Sequence, residues 1–174
     1  MRRFGRRALA AAGIVAAGLI AVAGCEVSTR SSLPAHIRTV EVHVFENRTM
    51  NYSIEGRLTR RIIEAIHKEP SVRVVNKGGE AILRGEIMEV RRIPIRETTE
   101  NRPATTQLVV TARVSFWDDV TSEFFLDDAV ISSNEAGIAV GLYDEDRGDT
   151  YSAAEAAAID ALAREIVRRT LGIW

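Results

Sequence analysis

The chain has 174 residues, of which 46% are hydrophobic and 27% charged, with a formal net charge of −1. Its one cysteine excludes an internal disulfide. No basic excess exists, which argues against a general nucleic-acid binder.

The chain opens with Arg2, Arg3, Arg6 and Arg7, followed by an unbroken small and apolar run from Ala8 to Gly24. A positive segment before an apolar one is the layout of a secretory signal. Read as a transmembrane helix, the run is short and weakly apolar. Val22-Ala23-Gly24-Cys25 resembles a lipobox, which implies cleavage before Cys25 and acylation of its sulfur. Residues 1–24 are therefore expected to be a signal peptide, 25–36 a lipidated tether, and 37–174 one domain. Removing the signal takes four of 23 basic residues and leaves 19 against 24 acidic ones, a formal charge of −5. A domain of this size buries about 68–70% of its unfolded surface, enough for a stable core.

Ile37 to Phe45 is expected to be a strand, because Val40, Val42 and Val44 alternate with Glu41 and His43. Glu46 to Thr49 should break it. Ser53 to Lys68 reads as a helix, with Ile54, Leu58, Ile62 and Ile66 on one stripe and Pro70 beyond its end. Val72 to Val75 is a short strand. Ala81 to Ile93 is another, with imperfect alternation: Ile82, Met88 and Val90 share one parity, Leu83 and Ile87 the other. Pro94 and the polar Arg96–Thr106 stretch predict a long hairpin loop.

The next strand is the clearest. Leu108, Val110, Ala112, Val114 and Phe116 point one way; Gln107, Thr111, Arg113 and Ser115 point the other. Phe124 to Ser132 follows as a strand, and residues 133–149 as a loop. Ser152 and Glu155 fit a capping box opening a helix that runs to about Thr170. Its apolar line is Ala154, Ala158, Leu162 and Ile166, and Arg164, Arg168 and Arg169 suit its C-terminal dipole. The expected fold is an α+β two-layer sandwich, with two helices on one face of a four- to five-stranded mixed sheet.

No catalytic constellation is found. His36, His43 and His67 lack metal-ligand spacing. No G-x-S-x-G, P-loop or G-x-G-x-x-G occurs, so no cofactor is expected. Asp118-Asp119, Asp127-Asp128 and Asp144-Glu145-Asp146 read as solvated turns rather than calcium ligands. Arg84, Arg91, Arg92, Arg96 and Arg102 stand out, interspersed with Glu86, Glu89, Glu97 and Glu100. Two readings fit them: guanidinium groups for phosphate or carboxylate, and charges that protect an edge strand from sheet-to-sheet pairing.

Past the lipobox, Ile37-Arg38-Thr39-Val40-Glu41-Val42-His43-Val44-Phe45-Glu46-Asn47-Arg48-Thr49 resembles the entry of the LptE-type LPS-assembly lipoproteins. Glu55–Glu69 matches the first helix of that family in position and pattern. Ala81-Ile82-Leu83-Arg84-Gly85-Glu86-Ile87 resembles its "A-x-L-x-G-x-I" strand, and Ala161–Val167 its closing helix. The resemblance implies a non-catalytic outer-membrane lipoprotein, lipid-anchored on the periplasmic side. It also implies a protein that plugs the LPS translocon barrel (LptD type) and can bind LPS. Residues 94–106 do not align with the family's LPS-contacting basic residues, so none is carried over; Arg84, Arg91, Arg92 and Arg96 are candidates from the residues alone. An auxiliary lipoprotein of an envelope lipid-transport complex is the competing reading.

Overall fold

The computed structural model describes residues 33–97, 103–137 and 139–172. The expected signal peptide, Cys25, most of the tether and Arg102 lie outside these. The strands are β1 (Thr39–Val42), β2 (Glu46–Asn47), β3 (Arg73–Val75), β4 (Ala81–Glu97), β5 (Pro103–Asp118), β6 (Phe124–Ser132) and β7 (Leu142–Tyr143). The helices are α1 (Ile54–Ile66) and α2 (Tyr151–Leu171). The sheet runs β3-β1-β4-β5-β6, with β2 continuing the line of β1 along β4 and β7 lying against β5 beyond β6. β1 is parallel to β3 and β4, while β4, β5 and β6 are antiparallel, so the sheet is mixed. The α+β class is as expected. The sheet has seven strands rather than four or five, because two two-residue strands form where breaks and loops were expected.

Both helices cover one face. Ile54, Leu58, Ile62 and Ile66 of α1 are each no more than 1% exposed. They share one core with Ala158, Leu162 and Ile166 of α2 and with Leu83, Ile87, Val110, Ala112, Val114, Phe116 and Ile131 of the sheet. Directly opposed pairs, such as Leu83–Phe116 and Ile87–Ala112, lie on this inner face. The A-x-L-x-G-x-I residues are all on it. Gly85 leaves room for the Phe45 ring: a Cβ there would sit 2.7 Å from Phe45 Cε1 and 2.4 Å from the Arg113 carbonyl oxygen.

Asn47 ties the β2–α1 connection together. Its Oδ1 accepts from Thr49 N and Oγ1, and its Nδ2 donates to Asn51 O and Glu55 Oε2, all at 2.8–2.9 Å. This loop does not end the sheet, as the sequence suggested; it follows a further strand, β2.

Three local expectations need correction. First, β4 passes through Pro94 to Glu97. Among the described residues no strand flanks its outer edge past Ile87, and the register shifts just after Pro94, so its missing N–H is tolerated. Second, residues 133–149 are not only loop: 3₁₀ turns form at Ser133–Ala136 and Glu145–Arg147, and β7 lies between them. Third, α2 is capped by Thr150, whose Oγ1 accepts from Ala153 N at 3.2 Å. Glu155 does not reach back to Ser152. It is 6% exposed and takes Arg57 Nη2 at 2.6 Å and Asn51 Nδ2 at 3.1 Å. The reciprocal box is instead Ser132–Glu135. Thr150→Ala should therefore cost about 1 kcal/mol in thermal unfolding, and Ser152→Ala almost nothing.

Candidate functional site on the open face of the sheet

The face away from the helices is built from alternate residues of β4 and β5. Its opposed pairs run Ile82–Trp117, Arg84–Ser115, Glu86–Arg113, Glu89–Thr111, Arg91–Val109 and Ile93–Gln107. A depression of about 400 Å³ opens on it, lined by His43, Val44, Arg48, Arg84, Glu86 and Arg113 among others. Glu86 sits between two guanidinium groups, taking Arg48 Nε at 2.8 Å and Arg113 Nη1 at 3.1 Å. Ser115 donates to Asp128 Oδ1 at 3.1 Å and accepts from Asp128 N at 3.2 Å. Gln107 is buried, with Nε2 on the Val140 carbonyl at 3.0 Å. The face is polar, as expected, but much of its polarity is already engaged within the protein.

The structure does not gather Arg84, Arg91, Arg92 and Arg96 into one patch. Arg84 lies on the open face, its guanidinium carbon 5.2 Å from the Trp117 ring centre. Arg91 is on the same face, about 20 Å further along β4 by strand rise. It is exposed, and Glu89 at 3.8 Å is a loose partner. Arg92 faces the helix side and stacks on Tyr151 at 4.6 Å. Arg96 reaches Asp144 at 3.5 Å, a carboxylate shared with Arg147 at 3.4 Å. The cause is a β-bulge at Met88, where the register shifts between Ile87 and Glu89. An extra residue reverses the parity of everything after it.

Two acidic residues read as solvated are buried: Asp118 is 1% exposed and Asp144 6%. Each still organises a turn. Asp144 Oδ1 accepts from Asp146 N at 3.1 Å. Asp118 Oδ1 accepts from Val120 N and Thr121 N, and Oδ2 meets His36 Nε2 at 2.6 Å. Burial penalises the Asp118 carboxylate, but hydrogen bonds from His36, Thr121 and the backbone of Val120 and Thr121 outweigh it, holding its pKa at about 2. A carboxyl held below its ordinary 3.8 stabilises the fold above that pH. That share is lost as pH falls from about 3.8 toward about 2. Acid unfolding followed by circular dichroism should show this loss in the native chain and lack it in Asp118→Asn.

His43 Nε2 contacts Glu41 Oε1 at 3.0 Å, and His67 caps the C-terminus of α1. Among the described residues no group of three or more His, Cys, Asp or Glu is placed to hold a metal ion. The chemistry this face offers is recognition, by guanidinium groups and one aromatic row. Sequence reasoning missed Trp117, Phe124 and Val120 at one end of it. The alternation that assigned Phe116 inward already placed Trp117 on the open side.

A family model described as "LptE: Lipopolysaccharide-assembly" matches residues 37–171. No curated protein matches the chain. Among solved structures, the chain is similar to hypothetical protein CT253 from Chlamydia trachomatis. That match has 12% identity and a TM-score of 0.52, covering 78% of this chain and 96% of that one. It is also similar to the PelC dodecamer protein of Paraburkholderia phytofirmans, at 11% identity and TM-score 0.48, over 82% and 93% of the two chains. Protein XCC0632 from Xanthomonas campestris gives 8% identity and TM-score 0.48, over 78% and 82%. Of these, the first speaks to the fold alone.

Proposed function

The chain belongs to the LptE lipopolysaccharide-assembly family, and from that premise we propose that it is a lipid-anchored, non-catalytic partner of an outer-membrane LPS translocon barrel of the LptD type. In this reading it is acylated at Cys25, sits on the periplasmic side of the outer membrane, plugs the barrel and assists LPS assembly. The carrying observation is a family match that spans almost the whole described domain. The geometry supports the reading. With two helices covering one sheet face, the polar open face is left to meet a polar barrel interior. A tether at the membrane raises the effective concentration of the domain at the barrel. Among the described residues no helix is long and apolar enough to cross a membrane. Extraction of a tagged chain in mild detergent should bring down a large outer-membrane barrel. Extraction that repeatedly yields no barrel contradicts the proposal.

LPS contact is the finer part. Of the four candidate arginines, Arg91 is the most available, because Arg92 stacks on Tyr151, Arg96 has Asp144 and Arg84 lies far from the hairpin end. Hydrogen bonds to charged groups contribute about 1.5–3 kcal/mol. Arg91→Glu should weaken LPS binding by about tenfold or more, with an unchanged circular-dichroism spectrum. Equal affinity in a well-folded variant removes Arg91 from the site.

A further inference from the structure

One end of the open face is apolar and exposed. Phe124 is 52% exposed and Val120 71%. Phe124 packs on Trp117 at 5.8 Å between ring centres, in the same row as Ile82. Arg84 lies over the other part of that row, exposed and, among the described residues, with no carboxylate at ion-pair distance.

The same end is where the chain enters the domain. Leu33 packs against the core there, and His36 bonds Asp118, the carboxylate that builds the turn carrying Val120. Arg38 N and Thr39 N both donate to Glu80 Oε2, beside the start of β4. The turn is well braced: Asp118 N donates to Glu123 O, and Ser122 N to Asp118 O, both at 2.9 Å. Presenting Val120 and Phe124 on such a turn lowers the ordering cost of docking.

We propose that this end rests on the headgroup zone of a phospholipid bilayer, with Trp117, Phe124 and Val120 entering it and Arg84 meeting headgroup phosphates. The proposal rests on the anchor at Cys25. From Cys25 to Leu33 an extended chain spans at most about 29 Å, which keeps the lipid close to this turn. The opposite end of β4 is about 55 Å away by strand rise, so the hairpin end points away from the anchoring surface. Aromatic side chains favour the membrane–water interface, and a guanidinium pairs with phosphate through paired hydrogen bonds. Asp119 and Glu123 are exposed in the same turn, which selects a zwitterionic surface over a strongly anionic one.

The test uses the full lipidated chain with Trp174→Phe, which leaves Trp117 as the only tryptophan. It is reconstituted into phosphatidylethanolamine–phosphatidylcholine vesicles whose acyl chains are brominated close to the headgroup. The protein should float with the vesicles, and Trp117 emission should fall markedly and shift to the blue relative to unbrominated vesicles. Adding Val120→Ser and Phe124→Ser should leave flotation intact and restore most of the emission. Flotation with unquenched Trp117, or equal quenching in the double variant, overturns the docking surface while leaving the anchor standing. A chain that does not float overturns the anchor, and the docking surface with it.

Discussion

Phe45→Ala should destabilise the domain by about 3–5 kcal/mol, the range for deleting a fully buried aromatic ring. Phe45 is 1% exposed although it lies between two short strands rather than within one. Its ring covers the bare Cα of Gly85, and its N–H donates to Thr59 Oγ1 on α1 at 3.1 Å. Thr59 is itself 6% exposed and passes its own proton to the Glu55 carbonyl. The ring therefore joins the β1–β2 link, the centre of β4 and α1. Gly85→Ala attacks the same contact from the other side. It should cost about 1–3 kcal/mol, because the Arg113 carbonyl it meets is backbone and cannot turn aside. Urea unfolding monitored by circular dichroism reads both. A loss below about 1 kcal/mol for Phe45→Ala would mean that the site collapses around the gap, contrary to this packing.

Cys25→Ser should release the chain from membranes altogether. Each buried methylene of an acyl chain contributes about 0.8 kcal/mol, and stable anchoring takes more than one chain. Serine offers no thiolate for the lipid, and no second cysteine can substitute. The exposed Val120–Phe124 end is too small to replace two acyl chains. Fractionation of cells expressing both forms, with mass spectrometry of the N-terminus, checks this. An unmodified, uncut N-terminus in the native chain would refute the anchor directly.

Much of the fold was legible because its signals are local and periodic. The α1 stripe, the inward residues of β5 and the bounds of β6 follow from spacing alone. What was not legible depends on contacts distant in sequence. Pro94 looks like a strand end, and the open edge that tolerates it is a property of the assembled sheet. Ser152 and Glu155 have capping-box spacing, but Arg57 and Asn51, from elsewhere in the chain, draw Glu155 inward. The arginine cluster failed as a single patch for one reason. The bulge at Met88 was visible only as imperfect alternation, and it moves Arg91 onto the face of Arg84 while turning Arg92 toward α2.

The motifs that carry the family resemblance explain their own limits. Val40, Phe45, Leu83 and Ile87 are core, and Asn47 and Thr49 hold a loop together. Such residues transmit a fold. The residues that would meet a partner lie on the open face, between them.

Photocrosslinking in living cells tests that partner most directly. A photoreactive residue replaces Arg91 on the open face or, separately, exposed Arg60 on α1. The account predicts an adduct with a large outer-membrane barrel from position 91, and little or none from position 60. Adducts only with an inner-membrane complex, or no barrel adduct from either position, would contradict it.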